Sequence, residues 1–341
     1  MKGLVKKEST VGIWMEEVSM PQISDHEVLI KTHKTSICGT DVHIYKWDAW
    51  AQRNVPVPLI IGHEFMGEIA AIGKQVQGFK EGDRVCGEGH LVCNYCVNCR
   101  MGKKHLCMNV KGLGYHSSGC FAEYFKIPAE NVFHLPPSIS DNLGAIFDPY
   151  GNAVHTALAF NLTAEDVLVT GAGPIGIMGA AIAIQAGARH VVITDPNPYR
   201  IELAKKMGIK NAINISDVSL DEAIRSIGIE NGFTVGMEMS GHPDGLKTLT
   251  EKLRHGGNIA LLGILPPGTV IDWDLVIFKM LTIKGIYGRE IFSTWYQMVN
   301  LLESGLNLNP LITHQFSVDD FEKGFQAMLS GQAGKVILDW T

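Results

Sequence analysis

Val167-Leu168-Val169-Thr170-Gly171-Ala172-Gly173-Pro174-Ile175-Gly176 is the stretch that decides the fold. Its first four residues form a short, uninterrupted β-prone run, the pattern of a buried strand. Glycines follow at 171, 173 and 176, and a helix-compatible stretch covers 174–186. The G-x-G-x-x-G spacing is weak alone, but set between a strand and a helix it is a dinucleotide-binding turn. Gly171 permits the tight turn, Gly173 lets a pyrophosphate approach the backbone, and Gly176 lets helix and strand pack closely. The helix N-terminus adds amide donors and partial positive charge. Asp195 ends the next strand-like run, where a carboxylate accepts from adenosine ribose hydroxyls and repels a 2′-phosphate. NAD is therefore expected. Arg200 is the residue type that accommodates such a phosphate and keeps NADP as the other reading.

Working outward, β-prone runs recur at 190–194, 211–215, 233–239, 258–262 and 282–287, with helix-compatible segments between them. Six strands joined by crossovers imply an α/β fold with a doubly wound parallel sheet. The N-terminal part reads differently. Short runs at 28–30, 68–73 and 83–86 are broken by Gly, Pro and Asp, as in a mostly β domain with long loops. The tail is helical at 295–304 and 319–330 and strand-like at 335–338. The expected division is a β-rich domain over 1–147, a dinucleotide domain over 148–290, and a segment, 291–341, that returns to the first domain.

The chain has 341 residues, 46% hydrophobic and 19% charged, with a net charge of −6. That is ordinary for a soluble globular protein and gives no electrostatic case for nucleic acid or acidic membranes. No apolar run approaches the ~18 residues of a membrane span. Met1–Lys7 lacks a signal-peptide apolar core, so a cytoplasmic address is expected. Seven cysteines are too few for a disulfide scaffold. Four of them, Cys93, Cys96, Cys99 and Cys107, read C-x2-C-x2-C-x7-C over a loop at about 90–110. Four thiolates can surround one zinc with no position left for substrate, which makes a structural site. An iron–sulfur cluster is the other metal group that four thiolates suit. Lys103, Lys104 and His105 lie in the same loop.

Cys38, His63 and Glu64 are a second candidate metal set. Thiolate, imidazole and carboxylate suit a zinc that keeps one position open. By themselves, a histidine beside a glutamate more often form a surface or core pair. Gly62-His63-Glu64-x2-Gly67-x5-Gly73-x2-Val76, with the four-cysteine loop and the glycine turn downstream, resembles the zinc signature of medium-chain alcohol dehydrogenases. The resemblance runs the length of the chain. Within it, the stretches 35–45, 145–157, 171–178 and 283–290 are most similar to the branch that oxidises L-threonine.

That resemblance implies a GroES-like catalytic domain, a Rossmann domain binding NAD, two zinc ions per subunit and a homotetramer. It implies catalytic-zinc ligation by Cys38, His63 and Glu64, with Asp148 either a ligand or a residue that tunes the site. Thr40 and His43 match a proton-relay pair, although a turn residue and a satisfied histidine are the plainer readings. Cofactor contacts are implied for Gly171, Gly173, Ile175, Gly176, Asp195, Arg200, Leu262, Gly263, Ile264, Ile286 and Tyr287. L-Threonine would give 2-amino-3-oxobutanoate, which suggests coupling to 2-amino-3-ketobutyrate CoA ligase. Charge complementarity nominates Glu64, Asp148 and Glu88 for the substrate ammonium and His90 or Arg289 for its carboxylate. A sorbitol or 2,3-butanediol dehydrogenase and a zinc-free inactive relative remain alternatives.

Overall fold

All six strands expected around the glycine turn lie in one parallel sheet. The computed structural model describes all 341 residues. Its Rossmann sheet runs in the order Asn211–Asn214, His190–Asp195, Asp166–Thr170, Phe233–Glu238, Leu253–Leu261, Thr282–Gly285. Every neighbouring pair is parallel. The order reverses beside Asp166–Thr170, so the loops at its carboxyl end form the switch point at which such sheets bind ligands. Both faces are covered by helices, among them Pro174–Gln185 and Pro243–Lys252. This explains why Asp166–Thr170 is buried at every position. Leu168, Val192, Phe233, Leu246, Leu249 and Ile259 form the core.

The largest of the three remaining sheets is mainly antiparallel and has seven strands. Its central members are Glu27–Ser36 and Phe65–Ile72. Lys335–Asp339, from the far end of the chain, pairs antiparallel with Glu27–Ser36. Leu4, Val28, Ile30, Ile44, Phe65, Phe121 and Phe325 pack its core.

The chain divides into two units, Met1–Pro149 with Ile312–Thr341, and Tyr150–Leu311. The C-terminal return thus starts at Ile312, not at the expected 291. Helix Ser293–Glu303 stays with the Rossmann unit, where Gln185 donates to the Leu301 carbonyl and the Ser304 hydroxyl. No helix is long and apolar enough to cross a membrane.

Asp166 anchors the start of the central Rossmann strand. One of its oxygens lies 2.9 Å from both Arg189 Nε and His190 Nδ1, and the other pairs with Arg189 Nη2. Burial pushes its pKa up, but Arg189 and His190 outweigh burial and hold the carboxyl below its ordinary value. A depressed folded pKa adds stability that is present above the unfolded value and lost as pH falls through the folded one. Asp166→Asn is expected to cost about 1 kcal/mol at neutral pH, since Arg189 is exposed. It should also flatten the acid limb of stability against pH in urea melts.

Candidate active site

Helix Gly39–Lys46 begins directly after Cys38, and a capping interaction fixes that junction. The Cys38 amide donates to Asp41 Oδ2 at 2.8 Å. The Gly62-His63-Glu64 turn leads into strand Phe65–Ile72, which pairs with the strand that delivers Cys38. The ligand atoms of Cys38, His63 and Glu64 consequently lie within 4.8 Å of one another, with His63 and Glu64 buried.

This donor set fits a zinc-type cation. Three buried polar atoms here, His63 Nδ1, Glu64 Oε1 and Asp41 Oδ1, have no hydrogen-bond partner. Such atoms are rare and costly unless a bound group satisfies them. Asp41 Oδ1 stands 3.8 Å from His63 Nδ1. That places a carboxylate behind the imidazole, the arrangement that orients metal-binding histidines. Burial raises the Asp41 pKa to about 6. Burial opposes charge on His63, but the Cys38 sulfur and the Asp41 carboxylate outweigh it and raise its pKa well above the ordinary value.

Sequence reasoning does not single out two charged residues of this site. Asp41 is one. Lys335 is the other: its Nζ donates to Glu64 Oε2 at 2.6 Å and to the Ile37 carbonyl at 3.1 Å, fully inside the protein. Burial lowers the Lys335 pKa, but Glu64 and Cys38 outweigh it and keep it above the usual lysine value. A partly exposed pair such as Arg84 with Asp141 carries little energy, whereas a pair as buried as Lys335 with Glu64 is sensitive to the loss of either member.

Asp148 is outside the close ligand trio. A methyl group on Gly89 would lie 3.4 Å from His63 Cβ and 3.6 Å from Asp148 Oδ2, so the carboxylate borders His63 across Gly89. Thr40 Oγ1 is 3.9 Å from Cys38 Sγ. His43 lies one helical turn further on, half-exposed, with its Nδ1 bound to Asp48 Oδ2. Asp48, also missed from sequence, caps helix Ala49–Asn54 through its other oxygen. One side chain thus fixes both the helix start and the His43 ring.

The nominated substrate contacts have partners within the protein. Glu88 is fully buried and accepts from the His90 amide at 3.0 Å, with the His90 ring 2.9 Å away. Arg289 is buried, donates to Asn152 Oδ1 at 3.1 Å, and lies where a methyl on Gly151 would be. Glu88 and His90 thus hold one another, Arg289 holds Asn152, and Glu64 is held by Lys335.

Cys93, Cys96, Cys99 and Cys107 also bring their sulfurs within 4.8 Å of one another, and none forms a disulfide. Burial pushes the Cys93 thiol up, but donors from Asn109, Tyr95 and Cys96 outweigh it and bring it to about 6. A tetrahedral zinc fits four such sulfurs.

In the Rossmann unit, Gly171 has φ +98 and opens the turn. Gly173 caps helix Pro174–Gln185 with open space where a Cβ would stand. A Cβ on Gly176 would come within 2.0 Å of the Gly171 carbonyl oxygen. Gly176→Ala is therefore expected to push the turn open and weaken NADH binding at least about tenfold, at a cost of about 1–3 kcal/mol in stability. Fluorescence titration and thermal melts measure both. Asp195 accepts from Ala172 N and Asn197 N, each at 2.8 Å, with Arg200 Nη1 3.4 Å away. Asp195 is thereby tied to the glycine turn. Ile175 is half-buried, Leu262 and Gly263 donate to the Glu238 carbonyl, and Ile264 and Tyr287 are exposed. Ile286 is buried, its amide bonded to the Leu261 carbonyl.

A thiolate–imidazole–carboxylate trio in a β-rich unit, followed by a dinucleotide turn, defines a zinc-type dehydrogenase. Two family models match: the alcohol dehydrogenase GroES-like domain over residues 24–137 and the zinc-binding dehydrogenase domain over residues 174–304. The chain belongs to the zinc-binding alcohol dehydrogenase family. It is 77% identical over 341 residues to L-threonine 3-dehydrogenase of Protochlamydia amoebophila, with 100% of both chains covered. It is 59% identical to the enzyme of the same name from Photorhabdus laumondii, again over 100% of both. Among solved structures, an alcohol dehydrogenase from Escherichia coli complexed with NADH superposes with TM-score 0.91 at 28% identity, covering 100% of this chain and 99% of that one. A 2R,3R-butanediol dehydrogenase from Bacillus subtilis gives TM-score 0.88 at 26% identity, covering 100% and 99%.

Proposed function

We propose that the chain oxidises the β-hydroxyl of L-threonine with NAD, yielding 2-amino-3-oxobutanoate, NADH and a proton. The observation that carries this reading is the end-to-end 77% identity to an L-threonine 3-dehydrogenase. The close trio Cys38, His63 and Glu64 supports it chemically.

In this reading Cys38, His63 and Glu64 hold a catalytic zinc, and the four-cysteine loop holds a second, structural one. Zinc, when bound, supplies Lewis-acid polarisation of an alcohol oxygen. Asp41 orients the His63 ring from behind. Thr40, two residues from Cys38, takes the hydroxyl proton and passes it toward His43. Asp48 holds the His43 ring at the protein surface, where the proton reaches solvent. Asp148 receives the substrate ammonium. Asp195 takes the adenosine ribose, and the Gly171–Gly176 turn takes the pyrophosphate.

A homotetramer is part of the proposal. A closed tetramer of two-fold symmetry needs two different self-complementary surfaces. Two stretches of chain that carry several exposed large apolar side chains support this. One comprises Val270, Trp273, Ile277, Phe278 and Met280, and the other Tyr95, Val97, Met101 and Met108. The product is a β-keto acid prone to lose CO2, so a cytoplasmic CoA-dependent enzyme such as 2-amino-3-ketobutyrate CoA ligase would consume it.

The test is a substrate panel followed by NADH absorbance, with zinc analysis and native mass on the same sample. Threonine turnover well above sorbitol and 2,3-butanediol, with about two zinc per chain as the two donor sets imply, is expected. Sorbitol or butanediol turnover far above threonine would sink the reading.

A further inference from the structure

Glu238 is a fully buried carboxylate with no part in the chemistry just described. It ends strand Phe233–Glu238, which adjoins Asp166–Thr170 on the side opposite Asp195. Its Oε1 accepts from the Ser240 amide at 2.9 Å and from the Ser240 hydroxyl, and its Oε2 accepts from the Gly241 amide at 3.2 Å. The Ser240 oxygen itself accepts from His242 N at 3.0 Å, which leaves its proton for Glu238. Both carboxyl oxygens therefore act as acceptors. Amides and a hydroxyl make up these partners, and no cation is among them.

The location of this charge matters. With adenosine at Asp195 and the pyrophosphate at the glycine turn, the other half of a dinucleotide must extend across the carboxyl ends of Phe233–Glu238 and Leu253–Leu261. The Glu238 loop lies against the glycine turn, since a Cβ on Gly171 would stand 2.7 Å from Ser240 Cα. The next turn hangs on the same residue. Leu262 N and Gly263 N each donate to the Glu238 carbonyl at 3.1 Å, and a Cβ on Gly263 would fall 2.0 Å from Glu238 Oε2. Glu238 thus fills the space between the Ser240–Gly241 and Leu262–Gly263 turns, on the side where the nicotinamide half would lie.

We propose that Glu238 selects the redox state of the bound cofactor: its negative charge, held by dipoles and without a counter-cation, favours the cationic oxidised nicotinamide over the neutral reduced one. The proposal rests on the NAD reading above. NAD+ and NADH share adenosine, riboses and pyrophosphate and differ at the ring by one charge. A fixed carboxylate shielded from water acts on that difference with little screening. A purely structural role for Glu238 would change both affinities alike.

The experiment titrates the full-length, zinc-loaded protein with NAD+, NADH and ADP-ribose at one pH and ionic strength. In E238Q the ratio of the NAD+ to the NADH dissociation constant should rise about fivefold, with ADP-ribose affinity held within about twofold. Equal weakening of NAD+ and NADH, or an unchanged ratio, overturns the proposal. If E238Q does not fold, E238D, which keeps the charge but withdraws it by one methylene, carries the test. Its ratio should rise about twofold, and an unchanged ratio overturns the proposal. Wild-type protein that binds neither NAD+ nor NADH would overturn the functional reading and this proposal with it.

Discussion

His63→Ala is expected to lower threonine turnover at least about a thousandfold, equivalent to about 4 kcal/mol of transition-state stabilisation, while NADH affinity changes little. The two effects separate because the residues sit in different units. His63 converges with Cys38 and Glu64 in the β-rich unit, and the proposed cofactor contacts all belong to Tyr150–Leu311. Removing the imidazole deletes one of three candidate ligands and leaves Asp41 without the ring it faces at 3.8 Å. The Asp41 carboxylate is wholly buried, so its isolation adds a folding cost to the chemical one. His63→Gln controls for volume and should be as inactive, because an amide is a poor zinc ligand. Metal analysis should show one zinc lost and the four-cysteine zinc retained. Turnover within about tenfold of wild type, a loss of only ~1.4 kcal/mol, would reject His63 as a ligand.

Legibility in the sequence tracked the sequence distance over which each feature is built. The glycine turn and its six strands could be read because every signal lies within a few residues of the element it creates. Both cysteine-containing donor sets are also near-local: the four cysteines span one loop, and Cys38 and His63 sit at the ends of adjacent paired strands. The catalytic trio nonetheless needed a family resemblance, since no spacing rule joins a cysteine at 38 to a histidine at 63. Asp41 left a local trace that went unused, an acid three residues past a helix-starting Cys38. Asp48 carries the residue type of a helix cap, and nothing local shows that it also holds His43. The sequence does not locate the return at Ile312, because an amphipathic helix such as Ser293–Glu303 shows that it has a partner surface, not which one. Charge alone nominates Glu88, His90 and Arg289, but the partners that hold them, His90 to Glu88 and Asn152 to Arg289, come from distant or unpatterned positions. Lys335 left no trace at all, because its partner Glu64 lies 271 residues away.

Lys335→Met is expected to destabilise the protein by about 3–5 kcal/mol, the cost of leaving a buried carboxylate without its cation. The Lys335 side chain is 4% exposed and that of Glu64 is fully buried, so water cannot replace the lost ammonium. The ammonium also bonds the Ile37 carbonyl, one residue before Cys38, so its removal loosens the strand end that delivers the thiolate. Methionine fills similar volume, which keeps a packing defect from dominating the result. A double-mutant cycle separates charge from packing. Glu64→Gln alone should also destabilise, by stranding the Lys335 ammonium. The double variant Lys335→Met/Glu64→Gln should recover most of the stability, because removing both charges of a buried pair is often neutral. It should not recover activity, since the substituted amide offers no carboxylate to the metal. Urea melts of the four proteins measure the coupling, and turnover on the same samples measures the site. A double variant as unstable as Lys335→Met would show that the lysine acts through its packing and its bond to Ile37, not through Glu64. Recovery of stability without turnover would place the pair where the geometry puts it: a buried charge balance that holds one oxygen of Glu64 on the lysine and leaves the other facing Cys38 and His63.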